Sequence, residues 1–333
     1  MEKNSHGSNM SYIFNQLMEN YGLLRQDLKE MDRHSRNIRM LSFNSSIEAA
    51  HVGAVGAGFR VIANEIKRFS EISDKTNEKC GEVVDSIERQ MRELIGVRTA
   101  DIAFDVIDKI DRNLFERFCD VQAWATFGKI VSCLENPDEK SVAAAGRTIS
   151  NLVKIYEVYH EIILADASGR IVVAGVDPSL TGTDAGEMEW FKKSVSGEVF
   201  VSDMYFSRQL DRNTISYSCP VRNSSGKILG VISTRFNWDF ICDIVDKAKI
   251  GADSGIYVVN VRGEVIASKT RTDVLRMNLS SSDAFAEISA GTGYGYITGK
   301  SPSGKLRVCG FAKTSGYNSY SGKGWSVIVE EEY

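Results

Sequence analysis

The sequence lacks any run of about 18 or more apolar residues, so it predicts no segment that spans a membrane. The N-terminal segment, residues 1–10, lacks the apolar centre of a secretory signal peptide, and we expect a cytoplasmic protein. A net charge of -4 spread over 333 residues leaves no strongly basic face. Neither nucleic acid nor an anionic membrane is therefore an expected partner.

Residues for metal binding or catalysis are also sparse. The six cysteines form no C-x-x-C pair, which indicates small buried thiols in a reducing compartment. The four histidines have no metal-ligand spacing, so we expect neither a metal nor a cofactor. The glycines of residues 53–58 lack the lysine–serine ending of a phosphate loop, and no Ser–His or Cys–His pair has a suggestive spacing. We expect no enzymatic activity.

The N-terminal part, residues 10–95, has seam residues at alternating steps of three and four, which is typical of coiled-coil helices. Between the two seams, Gly53, Gly56 and Gly58 provide the backbone freedom that a tight reversal requires. The pattern predicts a long antiparallel helical hairpin that forms a homodimer. The first seam comprises Met10, Phe14, Leu17, Tyr21, Leu24, Leu28, Met31, Ser35, Ile38, Ser42, Ser45 and Ala49, and the second comprises Phe59, Ile62, Ile66, Phe69, Ser73, Thr76, Cys80, Val83 and Ile87.

The residues around the turn resemble the signalling tip of bacterial chemoreceptors, the methyl-accepting chemotaxis proteins. The resemblance rests on N-x-x-I-E-A-A at 44–50 and G-F-x-V-I-A-x-E at 58–65. It implies a contact surface for a chemotaxis histidine kinase and its coupling protein that includes Asn44, Glu48 and Val61.

The tip departs from that family at several positions. Arg36 stands where the family has an aromatic contact residue, and His51 and Ala57 stand where it has arginines. A coiled coil that only dimerises, without a kinase partner, is the alternative interpretation.

Beyond the hairpin, residues 96–154 continue a helical pattern, and then the apolar period changes to two. Strand–turn–strand units appear at I-L-A-D-A-S-G-R-I-V and again at G-I-Y-V-V-N-V-R-G-E-V-I, each followed by further strands. The order occurs twice, which predicts a duplicated antiparallel-sheet unit over 155–245 and 246–333. The G-T-G-Y-G-Y-I-T-G run at 291–299 indicates a loop or a bulged hairpin. The fold class is α+β, with a hairpin, linking helices and two sheet domains.

The duplicated unit resembles the double Cache sensor domain, whose subdomains are PAS-like. The resemblance rests on the two hairpins and on E-W-F-K-K-S-V-S-G-E-V-F at 189–200. It implies a pocket in the first subdomain, 155–245, lined by Trp190, Phe191, Tyr205 and Arg235, and Tyr217 would add to its aromatic wall.

The chemistry of that pocket depends on Arg235. Its guanidinium is suited to a carboxylate or phosphate, but an internal ion pair with Glu189 or Asp203 is the alternative. Amino-acid-binding members have an arginine where Met188 stands and an aspartate where Arg235 stands. We therefore predict that a free α-amino acid is not the ligand.

These features together resemble a soluble chemoreceptor-like signal transducer. In this interpretation, the Cache domain senses a small and possibly anionic molecule and relays its binding through the hairpin. The alternative is a ligandless dimeric scaffold that associates with chemoreceptor arrays.

Overall fold

The computed structural model describes residues 6–251, 254–301 and 304–333, with side chains from residue 12 onward, so the side chain of Met10 lies outside the described residues. Two long helices form the N-terminal hairpin: α1 spans His6–His51 and α2 spans Ala57–Ala125. A short 3-10 helix, Gly53–Gly56, joins them. Gly53 has a φ of 70°, and a Cβ on Gly56 would lie 2.2 Å from the carbonyl oxygen of Ala49. Both positions therefore favour glycine.

Gly58 corrects the predicted turn. It is the second residue of α2, and a Cβ placed on it would meet nothing within 4 Å. The turn therefore does not require a glycine at position 58, because the chain reverses its direction between Val52 and Gly56.

The two arms pack through small residues at a spacing of seven. On α1 these are Ser35, Ser42 and Ala49, and on α2 they are Ala63 and Ser70, all buried. The Ser42 hydroxyl donates to the carbonyl oxygen of Ala63 at 2.7 Å, and the Ser70 hydroxyl donates to the carbonyl oxygen of Ser35 at 2.9 Å. Such bonds require closely packed helix backbones, which only small side chains permit.

The second seam predicted from the sequence is therefore not the contact between the arms. Its large side chains face away from α1, since Phe59 is 71% exposed and Phe69 is 66% exposed. We call six of the exposed apolar side chains on α2 the apolar stripe: Phe59, Ile62, Phe69, Val83, Ile87 and Leu94.

Helix α2 continues without interruption from the hairpin into the C-terminal part of the chain, so the predicted boundary at 95/96 falls inside one helix. It is followed by α3, Gly128–Glu135, and α4, Glu139–Tyr156. Asp138 caps α4 by accepting a hydrogen bond from the Ser141 amide at 2.6 Å. None of the helices in the described ranges combines the length and the apolar character needed to cross a membrane.

Two antiparallel sheets follow. The first contains β1 (Tyr159–Asp166), β2 (Ile171–Ala174), β3 (Phe200–Val201), β4 (Tyr205–Ser207), β5 (Arg212–Arg222) and β6 (Ile228–Asn237), in the order β2-β1-β6-β5-β3 with β4 also paired to β5. Helix α5 (Glu189–Val195) lies between β2 and β3, and α6 (Asp239–Asp246) follows β6.

The second sheet contains β7 (Gly255–Val259), β8 (Val265–Ser268), β9 (Tyr294–Lys300), β10 (Leu306–Lys313) and β11 (Ser326–Glu332), in the order β8-β7-β11-β10-β9, with α7 (Asp283–Ser289) between β8 and β9. The five strands of the second order correspond to β2-β1-β6-β5-β3 of the first sheet, in which β4 is an additional strand. The predicted α+β class is confirmed. The run at 291–299 is largely the edge strand β9, because its residues pair with β10 along the whole length of β9.

Helix α2 packs across both sheets and supplies much of the main core, including Val106, Ile110, Leu114 and Trp124. The polar residue Asp111 is buried on the same face of the helix. Its carboxylate accepts hydrogen bonds from the Thr314 hydroxyl at 2.6 Å and from the Gly316 amide at 3.0 Å. It thereby joins α2 to the loop after β10.

We expect Asp111→Asn to change how stability depends on pH. Burial raises the pKa of the Asp111 carboxyl, against the opposing hydrogen bond from Thr314. The native state therefore holds this proton above the unfolded pKa of about 3.9. The free energy of unfolding should fall as pH rises from that value through the folded pKa. Urea unfolding across this window should show a shallower fall for Asp111→Asn than for the wild type.

Asp138→Asn is the control, because the pKa of Asp138 is shifted in the opposite direction to that of Asp111. The Ser141 amide lowers the pKa of the exposed Asp138 carboxyl. Its stabilising contribution should therefore be lost as pH falls through the folded pKa, and the asparagine variant should lack that loss. Identical pH profiles for the wild type and Asp111→Asn would contradict the assignment.

Candidate ligand-binding site

A cavity of about 760 Å³ opens on the first sheet, on the face opposite α2. Strands β1, β5 and β6 supply its floor through Glu161, Ser216 and Arg235. The start of α5 and the segment 202–210 supply its walls. Its volume and mixture of aromatic and polar lining are typical of small-molecule sites.

Arg235 lies in this cavity without an ion-pair partner among the residues that the structure describes. Its Nη1 donates to the Ser233 hydroxyl at 2.8 Å and to the Thr234 carbonyl oxygen at 2.9 Å, and its guanidinium carbon lies 5.1 Å from the centre of the Trp190 ring. No carboxylate in the described part of the chain lies within 4.0 Å of it, which excludes an ion pair with Glu189 or Asp203 in this structure. Burial lowers the pKa of Arg235, and the nearby Tyr205 and Glu161 oppose this shift only in part.

The neighbouring carboxylate is engaged elsewhere. Glu161 lies opposite Arg235 in the β1–β6 register. Its oxygens instead accept hydrogen bonds from the backbone amides of Ile162 at 2.8 Å, Gly175 at 2.7 Å and Asp177 at 2.7 Å. Glu161 thus fixes the segment after β2, and its oxygens are already occupied by backbone amides.

Two of the predicted aromatic residues line the cavity. Trp190 stacks on Arg235, and the Tyr205 hydroxyl shares a hydrogen bond of 2.7 Å with the Ser216 hydroxyl. Phe191 does not line it: this ring is buried beneath α5, at 5.9 Å from the Trp190 ring and nearly perpendicular to it.

Tyr217 corrects the predicted pocket wall. It is fully buried in the main core on the α2 side of the first sheet. The physical reason is the alternation of side chains along β5: Ser216 and Ser218 face α5 and the cavity side, so Tyr217 between them faces the opposite way.

Two further residues line the cavity: Asp203, which the sequence offered only as an ion-pair partner for Arg235, and Arg262, to which no sequence motif points. Arg262 comes from the second subdomain and lies 4.0 Å from Asp203 and 2.6 Å from Glu264. The two cavity residues are 59 positions apart, so only the packing of the subdomains brings them together. Over residues 6–251, 254–301 and 304–333, no group of histidine, cysteine and carboxylate side chains could hold a metal ion.

The three predicted tip residues lie on the surface of the hairpin. Asn44 and Glu48 line a groove of about 420 Å³ beside the turn. Val61 lies on α2 outside that groove and is 64% exposed.

Solved structures with a similar fold are sensor domains. The ligand-binding domain of the amino acid chemoreceptor PctC of Pseudomonas aeruginosa, in complex with GABA, has a TM-score of 0.56 at 19% identity, covering 71% of this chain and 100% of that one. The ligand-binding domain of the Campylobacter jejuni chemoreceptor Tlp3 with L-valine has a TM-score of 0.55 at 11% identity, covering 74% and 95%. The sensor domain of the Vibrio cholerae histidine kinase DctB has a TM-score of 0.53 at 12% identity, covering 70% and 95%. At these identities the likeness shows the fold.

The family is shown by the sequence match. The Cache domain model matches residues 81–333, which is most of the chain and includes both sheets and the cavity. The chain therefore belongs to the Cache domain family.

Proposed function

We propose that this protein is a non-catalytic sensor that binds a small molecule through an anionic group at Arg235. The observation that carries the proposal is a guanidinium in a cavity of ligand size, with no carboxylate of the described residues within ion-pair distance. Because Nη1 already has two acceptors, Nε and Nη2 remain for a carboxylate or phosphate. The ring of Trp190 provides an aromatic surface beside the anion.

The proposed ligand is not a free α-amino acid. L-valine and GABA are bound by the chemoreceptor domains of similar fold, and such ligands carry an ammonium group. The sequence resemblance to amino-acid-binding Cache domains implies that Arg235 stands at the position that reads the amino group and Met188 at that of the carboxylate-binding arginine. A second cation beside the ammonium would oppose its binding.

The hairpin is proposed to pass the signal to a partner. Asn44, Glu48 and Val61 lie close to the turn and are available to a docking protein. Together with the tip motif, this supports a chemotaxis histidine kinase and its coupling protein as partners. The apolar stripe supports a homodimer. The free thiols of the described cysteines suit the cytoplasmic location inferred from the sequence.

A thermal-shift screen against organic acids, phosphates, purines and amino acids tests the binding proposal. We expect at least one organic acid or phosphate to stabilise the protein, by about 2.7 kcal/mol at a hundred times its dissociation constant. We expect Arg235→Met to lose this stabilisation while remaining folded, because methionine keeps much of the aliphatic packing against Trp190.

Arg222→Met is the matched control. Arg222 lies at the end of β5 outside the cavity and donates to the Gly226 carbonyl oxygen at 3.0 Å. This variant should respond to the same anion as the wild type does. The absence of any response across the panel would favour the ligandless scaffold instead.

A further inference from the structure

The cavity wall is bonded to the second subdomain at the start of β11. Trp325, which directly precedes this strand, donates its indole N–H to Asp203 Oδ1 at 2.9 Å. The Asn260 amide donates to the other Asp203 oxygen at 3.5 Å, and the Lys323 ammonium donates to the Val201 carbonyl oxygen at 2.8 Å. Asp203 lines the cavity and lies two residues before Tyr205, so the segment that carries the aromatic wall is held from the second subdomain.

The other end of β11 contacts the hairpin root, by which we mean residues 91–100 of α2 and the part of α1 around Phe14. Glu331 is 1% exposed, and its carboxylate accepts from Arg98 Nη1 on α2 at 2.7 Å. The Tyr333 hydroxyl also donates to Glu331. The Tyr333 ring packs edge-on against Phe14 of α1, with 4.6 Å between ring centres, and Ile95 of α2 joins the same cluster. One strand therefore contacts the cavity wall at its beginning and both hairpin arms at its end.

Strand β11 is suited to transmit a displacement along its length. It is paired on both sides, with β7 and with β10, from Ser326 to Glu330. A strand held by two ladders moves as one unit with its neighbours, because stretching it would break several hydrogen bonds. Trp238 supports the beginning of the strand: its indole N–H donates to the Ile266 carbonyl oxygen on β8 at 2.7 Å, and its ring packs edge-on against Trp325 with 5.5 Å between ring centres.

We propose that β11 couples occupancy of the cavity to the hairpin root. Asp203 and Trp325 are positioning residues at the beginning of the strand, and Glu331 and Arg98 are positioning residues at its end. The ligand part of this inference rests on the proposed function. An anion at Arg235 adds negative charge to a cavity that Asp203 also lines, and it repels the Asp203 carboxylate towards the donors of Trp325, Asn260 and Arg262. Binding thus tightens the contact with β11 and stabilises the hairpin root.

The first test needs no ligand. Hydrogen exchange of backbone amides in residues 91–100 and 326–333 should be faster in Trp325→Phe than in the wild type, by about threefold to tenfold, because phenylalanine keeps the ring but removes the donor. Asp203→Ala removes the acceptor from a half-buried position and should give the same change. Ser194→Ala is the control: it removes a buried hydrogen bond of 2.9 Å to the Ser218 hydroxyl within the first subdomain, away from β11, and it should leave exchange at residues 91–100 unchanged. Equal changes in Trp325→Phe and Ser194→Ala, or no change in Trp325→Phe, would overturn the coupling.

The second test adds succinate as a probe anion and measures both thermal stabilisation and amide exchange. We expect succinate to stabilise the wild type and to slow amide exchange at residues 91–100. In Trp325→Phe we expect the same stabilisation without the slower exchange. Stabilisation of the wild type without any change at residues 91–100 would overturn the coupling and leave the binding proposal standing. Failure of succinate to stabilise the wild type would count against the binding proposal for this anion, and the ligand-free variants would still decide the coupling.

Discussion

Replacing Gly310 with alanine is expected to destabilise the protein by about 3 kcal/mol, a large effect for one methyl group. Gly310 lies on β10, where α2 crosses the second sheet. A Cβ at this position would lie 2.3 Å from the carbonyl carbon of Thr99 and 2.4 Å from the amide nitrogen of Ala100. Both atoms belong to helix backbone, so no side-chain rotation can relieve the clash and the helix must move away from the sheet. The free energy of unfolding, measured in urea, would show the loss.

Gly299→Ala is the matched control for this experiment. Gly299 lies on the adjacent strand β9, and a Cβ there would meet nothing within 4 Å. Its replacement should change the free energy of unfolding by no more than about 0.5 kcal/mol. Equal effects at positions 299 and 310 would show that the close approach of α2 to the sheet is not what Gly310 provides.

Much of the sensor fold follows from local sequence. The D-A-S-G and N-S-S-G turns between alternating runs predict the β1–β2 and β5–β6 hairpins, and the structure contains both. The repeated order of the motifs predicts the second sheet. What local sequence does not contain is the crossing of α2 over β10, because the need for Gly310 depends on Thr99, 211 residues away.

The candidate site divides in the same way. The tryptophan of α5 and the tyrosine of β4 belong to a local motif, and both line the cavity. Along β5, serines alternate with larger residues, so the sequence shows that Tyr217 and its serine neighbours lie on opposite faces of the sheet. It does not show which of the two faces carries the cavity. The pairing of Asp203 with Trp325 depends on how the two subdomains pack.

The hairpin shows how a heptad pattern can predict the helices and misassign their contact. Seam residues that alternate at steps of three and four form two neighbouring rows on each helix, and the pattern does not show which row contacts the other arm. Within one chain, the small residues Ser35, Ser42 and Ser70 form the contact between the arms. The larger residues of the second seam then remain exposed, and an exposed row of this length on a long helix is typical of an interface.

We therefore expect the protein to be a dimer at micromolar concentration, and we expect Phe69→Glu to make it monomeric. Each copy would contribute the six side chains of the apolar stripe, which are partly exposed in the single hairpin, so completing the burial of each one stabilises by about 1–2 kcal/mol. The sum for two copies is similar in size to the upper end of the roughly 4–15 kcal/mol that association costs in lost translational and rotational freedom. A glutamate at position 69 would place a charge at the interface in both copies, and burying an unpaired carboxylate opposes association by several kcal/mol. Sedimentation velocity measures the change directly.

Lys75→Glu is the control, because it introduces the same side chain on α2 at an exposed position outside the stripe. It should remain dimeric, which would separate the loss of the apolar contact from a general effect of added negative charge. Circular dichroism should show unchanged helix content in Phe69→Glu, since the arms of one hairpin are held together by Ser35, Ser42 and Ser70 rather than by the stripe. A wild-type protein that sediments as a monomer at micromolar concentration would refute the dimer. Loss of helix content in Phe69→Glu would show that the stripe also holds the single hairpin together.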